Sequence, residues 1–259
     1  MTRRPARRVP VLVAPVAALL LAACGPDGAR TPVAADVTGT ASTPCADLVV
    51  LGARGSTQDP DLNSGVGTEV RRVTDHLIDR LAERTDLTVG LEAIRYDSSL
   101  AGSVAAYDAQ TTDGTRMMTD RLRSLAQECR DSRFALIGFS QGGQVVHGTA
   151  SRMASDLADR VALVAMIADP LTNPADRIAH WSYADEPTSG DGRLGAGPPI
   201  DADLRDVAIS LCVEGDEICN DRGAPGGPPS TTHKRFYEKD SSARETATQL
   251  DRVLQANGV

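Results

Sequence analysis

Aromatic side chains are scarce in this sequence. Three phenylalanines, four tyrosines and one tryptophan make up 3% of 259 residues, too few for the stacking platforms on which bases are held. An excess of positive charge is also missing: 27 Lys and Arg stand against 35 Asp and Glu, a formal charge of −8. Without a basic stripe to neutralise phosphates, nucleic acid is excluded as a partner. There is no CxxC pair and no histidine spaced to complete a zinc site, so no metal is expected. The length suits one domain with a sizeable core, and a monomer is the expectation.

Long hydrophobic runs are lacking as well. The most apolar stretch, Val9 to Ala23, is too short for a comfortable membrane span, and Arg3, Arg4, Arg7 and Arg8 precede it, the arrangement of an export signal. It ends in Leu21-Ala22-Ala23-Cys24-Gly25, which resembles the bacterial lipobox. That resemblance implies that Cys24 is lipidated and becomes the new N-terminus. The plainer alternative is an ordinary cleaved signal with an incidental cysteine. From Gly25 to Pro44 the chain runs through Gly, Pro, Thr, Ala and Asp without apolar periodicity, as a flexible tether does. The expected organisation is a signal peptide with lipobox over 1–23, a tether over 24–44 and a folded domain over 45–259. The protein is then secreted and held at the cell surface through its lipid.

Five cysteines become four if Cys24 carries lipid, and four in an oxidising compartment suggest two disulfides with three pairings open. Cys212 and Cys219 flank a short polar stretch, which favours a local bridge and leaves Cys45 to Cys129.

Short apolar runs alternate with amphipathic segments across the domain. Leu48 to Leu51, Val89 through Arg95 or Tyr96, Phe134 to Ile137, Val161 to Ala168 and Val207 to Leu211 read as strands. Val66, Val70, Val73, Leu77 and Leu81 recur at helical spacing, Ser103 to Glu128 reads as mostly helical with Met117, Met118, Leu122 and Leu125 on its inner face, and Ala243, Ala247, Leu250 and Leu254 mark a final helix. A further helix is expected from Gly143 to about Leu157. Strands alternating with helices predict an α/β fold with a central, mainly parallel sheet of five strands. Pro170 to about Asp203, rich in Pro, Gly and Asp, reads as a long surface loop of the kind that shapes sites.

Gly138-Phe139-Ser140-Gln141-Gly142 is a GxSxG motif at the point where a strand gives way to a helix. In a nucleophile elbow the serine sits on a strained turn, and flanking glycines let strand and helix approach. Ser140 as a simple helix cap explains neither glycine. A serine hydroxyl needs an imidazole to take its proton and a carboxylate to orient that imidazole. His76 and His147 fall inside expected helices, and His180 precedes every plausible acid, so His233 alone fits the order Ser, acid, His. Asp216 lies just past the last strand, with Glu214, Glu217 and Asp221 as rivals. The backbone N–H of Gln141 suits an oxyanion hole, and Ser56, in the turn after the first strand, is a candidate for its second donor.

The elbow, the Ala53-Arg54-Gly55-Ser56-Thr57 turn and the acid enclosed by Cys212 and Cys219 together resemble the cutinase family over about residues 45 to 257. The resemblance implies a three-layer α/β-hydrolase sandwich, a Ser140, Asp216 and His233 triad, and an oxyanion hole from Ser56 and Gln141. It also implies Cys45–Cys129 and Cys212–Cys219 bridges and hydrolysis of carboxylic esters through an acyl-enzyme, without a cofactor. Short- to medium-chain esters are the expected substrates, with lipids and polyesters such as cutin as the wider range. The alternatives are acyl transfer at the same site, a thioesterase or peptidase on the same fold, and a non-catalytic surface lipoprotein. Three features depart from the pattern: a longer loop from Pro170 to Asp203, a Pro- and Gly-rich insertion over Ala224 to Pro229, and Lys234 and Arg235 after the histidine, a charged rim that favours small or anionic substrates over bulk polyester.

Overall fold

The computed structural model describes residues 45–183, 187–221 and 228–259. The signal, Cys24 and the tether lie outside the described residues, as does most of the Pro- and Gly-rich insertion. No helix among the described residues is long and apolar enough to cross a membrane.

Six strands form one sheet: β1 (Leu48–Ala53), β2 (Val89–Ala93), β3 (Arg133–Phe139), β4 (Val161–Ile167), β5 (Ala179–Ser182) and β6 (Ala208–Cys212). Their spatial order is β2-β1-β3-β4-β6-β5, and every pairing is parallel. The central strands are continuous apolar runs because both faces are covered. Along β1, Leu48 and Val50 join Val70, Leu77 and Leu250 in one core, while Val49 and Leu51 join Met118, Leu122 and Val145 in the other. The alternation of side chains along a strand thus divides one apolar run between two layers. On the first face lie α1 (Thr68–Ala82) and α6 (Asp240–Ala256), and on the second α2 (Val104–Glu128) and α3 (Gln141–Ala150). Ser103 caps α2, its side chain accepting from the Ala106 N–H at 3.1 Å, which satisfies one of the first-turn donors.

Two expectations need correction. The sheet has six strands, not five, because Ala179–Ser182 pairs with β6 at the sheet edge. Its residues are exposed or half-buried, so it carries no apolar run to mark it, and one neighbour's backbone alone makes it a strand. The segment from Pro170 to Asp203 is accordingly more than surface loop. The helix after the elbow also ends early, at Ala150, and a separate turn α4 (Ser155–Ala158) follows. Met153, Leu157 and Ala158 still bury their side chains, and it was this burial pattern that resembled one longer helix.

Cys45 is bonded to Cys129 and Cys212 to Cys219. The first bridge joins the entry to β1 with the end of α2 across 84 residues, and closing so long a loop removes much of the unfolded chain's freedom. Replacing Cys45 and Cys129 together by Ala is expected to lower the unfolding free energy by about 4 kcal/mol in urea titrations. A loss below about 1 kcal/mol would show that the bridge adds little to this fold.

Candidate active site

The turn between β3 and α3 is the most constrained piece of backbone near the sheet's C-terminal edge. Ser140 adopts φ 55°, ψ −119°, a region that residues with a Cβ rarely occupy. A Cβ on Gly138 would lie 2.1 Å from the Gly142 carbonyl oxygen, and one on Gly142 would lie 2.0 Å from that of Ala53. The glycines are therefore required by contact between backbones. Ser140 N–H donates to the Ile167 carbonyl at 2.9 Å, tying the turn to β4.

Ser140 Oγ lies 2.9 Å from His233 Nε2, and His233 Nδ1 lies 3.1 and 3.0 Å from Asp216 Oδ1 and Oδ2. His233 belongs to the short helix α5 (Thr231–Arg235), whose cap Ser230 accepts from the His233 N–H. Asp216 is fully buried, where an ionised carboxylate is costly unless hydrogen-bonded. Its oxygens accept from the Ile218 N–H at 2.9 Å and from Tyr237 Oη at 2.9 Å. The three rival carboxylates lie elsewhere: Glu214 accepts from Asn220, Glu217 from the Ser230 N–H, and Asp221 pairs with Asp191 through backbone. Of the other histidines, His76 meets Asp240 and His180 meets the Asp176 carbonyl, while His147 is buried against Asp169.

Ser56 Oγ donates to Gln141 Oε1 at 3.0 Å, so the two oxyanion candidates are neighbours. Gln141 opens α3, and its N–H has no carbonyl one turn earlier in the helix to bind. Several supporting residues gave no sequence signal. Gln110 on α2 accepts from Gln141 Nε2 at 3.0 Å, and Gln58 Oε1 accepts from the Gly55 N–H at 2.7 Å. Phe139 stacks on the His233 ring with centroids 5.1 Å apart and planes inclined by 17°. Tyr237 falls four residues after His233, and that spacing is the one hint of contact the sequence offers. Burial, and then the charge of Asp216, push the Tyr237 phenol well above its usual pKa, so it remains a donor.

A cleft of about 630 Å³ opens over Ser140 and His233. Leu100, Val104 and Leu194 stand exposed at its walls. Lys234 lines it too, but alongside Glu69 and Glu238, and Arg235 donates to Glu238 at 2.9 Å. Arg193 also lines the cleft, so charges of both signs stand around it. No cluster of three or more metal-ligating side chains occurs among the described residues.

Against known proteins, a family model described as Cutinase matches residues 44–248. Carboxylesterase Culp1 of Mycobacterium tuberculosis is 28% identical over 250 residues, covering 96% of each chain. Cutinase cut1 of Trichoderma harzianum is 25% identical over 80% of this chain and 71% of its own. Among solved structures, the catalytic core of an acetyl xylan esterase from Trichoderma reesei superposes with a TM-score of 0.62 at 17% identity, over 83% of this chain and all (100%) of its own. A cutinase-like protein from Cryptococcus sp. does so with 0.63 at 14%, over 83% and 98%. These two likenesses concern the fold.

Replacing Tyr237 by Phe leaves a buried carboxylate oxygen and the Val213 N–H, which donates to Tyr237 Oη at 3.0 Å, each short of a partner. The expected cost is about 1–3 kcal/mol in chemical denaturation. A variant as stable as the parent would show that neither bond is maintained in solution.

Proposed function

We propose that this chain, which belongs to the cutinase family, hydrolyses carboxylic esters through an acyl-enzyme formed on Ser140. The observation that carries the reading is the continuous line from Ser140 Oγ through His233 to the buried carboxylate of Asp216. His233 Nε2 takes the hydroxyl proton as Oγ attacks the ester carbonyl. Asp216 holds the Nδ1–H tautomer and stabilises the imidazolium that results. The oxyanion takes the Gln141 N–H and a donor from Ser56, whose hydroxyl turns from Gln141 Oε1 toward it. His233 then protonates the departing alcohol, and water activated by the same imidazole releases the acid.

The cleft's volume and its apolar walls support short- to medium-chain acyl esters as substrates. Export and surface anchoring through Cys24 are part of the proposal. They are supported by the arginine-led apolar run and its Cys24-Gly25 ending, and by two disulfides of the kind kept in oxidising compartments.

p-Nitrophenyl esters from acetate to palmitate provide the test. The expected profile peaks at about four to eight acyl carbons and falls toward palmitate. Ser140→Ala is expected to lower kcat about 10⁴-fold or more, and Asp216→Asn about 10³- to 10⁴-fold. Folded protein without turnover of any ester would reject hydrolysis, and acyl transfer to an added alcohol would then identify a transferase.

A further inference from the structure

The chain contains a second buried His–Asp pair, one that the proposed hydrolysis does not use. His147, on α3, is 2% exposed, and Asp169, just beyond β4, is 1% exposed. Nδ1 of the ring lies 2.6 Å from Asp169 Oδ2, and Nε2 lies 2.8 Å from the carbonyl oxygen of Pro198. Both partners are acceptors. A neutral imidazole has one N–H and one lone pair, so in either tautomer one of these contacts would set a lone pair against an oxygen. The arrangement is consistent only when the pair holds one further proton; placed on the ring, that proton makes an imidazolium beside a carboxylate.

What this charge holds is a wall of the cleft. Asp169 Oδ1 accepts from the Leu171 N–H at 2.9 Å, and Pro198 is drawn onto the ring so closely that a Cβ on Gly197 would lie 2.7 Å from His147 Nε2. At these anchors two stretches of chain are bonded to each other: the N–H groups of Gly192, Leu194 and Gly197 donate to the carbonyls of Thr172, Pro170 and Leu171. Pro170, Arg193 and Leu194 line the cleft over Ser140.

We propose that His147, as an imidazolium, is a positioning residue that fixes residues 170–172 and 192–198 together as a wall of the cleft, and that losing its proton loosens this wall and weakens the binding of longer acyl chains. The groups that face it are Asp169 and Asp176, with the Tyr107 phenol of α2 near Asp169. Burial alone disfavours the imidazolium, but the Asp169 charge and hydrogen bond and the Pro198 carbonyl outweigh it, so the group titrates above the ordinary histidine range. The sign follows: with a folded pKa above the unfolded value of about 6.5, the stabilisation is complete below that pH and is lost as pH rises through the folded value.

Ring ¹⁵N NMR of the purified protein, with His147 assigned through its contacts to Gly197, reads the state directly. Both ring nitrogens are expected to be protonated at pH 6; a single neutral tautomer at that pH would overturn the proposal. As His147 titrates, the hydrogen-exchange protection of Gly192, Leu194 and Gly197 is expected to fall about tenfold or more, and protection that does not change would also overturn it. Kinetics supply a further arm, which rests on the ester-hydrolase reading. The ratio of KM for p-nitrophenyl octanoate to that for the acetate is expected to rise about fivefold over the same titration, and to be raised already at pH 6 in His147→Gln. A flat ratio in the parent contradicts the proposal. Absence of turnover with both esters instead rejects the hydrolase reading and leaves the decision on His147 to the NMR and exchange data.

Discussion

Three backbones meet without side chains between them at the end of the sheet, and the site is arranged around that contact. Gly138, next to last in β3, meets Gly142 in the first turn of α3, and Gly142 meets Ala53 at the end of β1, so close that a methyl group on either glycine would collide with a carbonyl oxygen. Such packing forces Ser140 into a conformation costing on the order of 1–3 kcal/mol, which neighbouring bonds and buried strands must offset. In return the turn raises Oγ clear of the sheet edge and frees the first N–H of α3. It also brings the β1 turn near enough for Ser56 to reach Gln141. Ser140 and the proposed oxyanion donors are thus positioned by one constraint.

The acid and base are held differently, by satisfied polar bonds on a stapled loop. Asp216 sits between Cys212 and Cys219 at the end of β6, and its burial is tolerable because His233, Tyr237 and the Ile218 N–H all face it. The pair formed by His147 and Asp169 is an informative contrast. Each histidine has a buried carboxylate at Nδ1, and the difference lies at Nε2. His233 faces a hydroxyl that can give up a proton, whereas His147 faces a carbonyl that can only receive a hydrogen bond. In the proposed account, that third partner separates a pair serving proton transfer from one serving as an anchor.

Much of this was legible from local pattern. The central strands announced themselves as apolar runs because they are covered on both faces, and the elbow did so because only glycine fits there. His233 followed from chain order, and Asp216 from its place after a strand. β5 was not legible, since an edge strand whose side chains are half in water needs no apolar run. Gln58, Gln110 and Tyr237 escaped for another reason: each acts through one hydrogen bond to a group brought near by the fold, and a single polar residue carries no periodicity. The role of His147 was hidden by its helix, because its partners lie 22 and 51 residues away.

The central claim is that Ser140 is a nucleophile activated by His233 and Asp216, and covalent capture tests it most directly. The folded protein would be treated with a p-nitrophenyl alkylphosphonate, and the adduct located by intact mass and peptide mapping. The account expects one phosphonyl group per chain, on Ser140, forming far more slowly when Asp216 is replaced by Asn. An adduct on another residue, or an equal rate in the Asp216 variant, would contradict it.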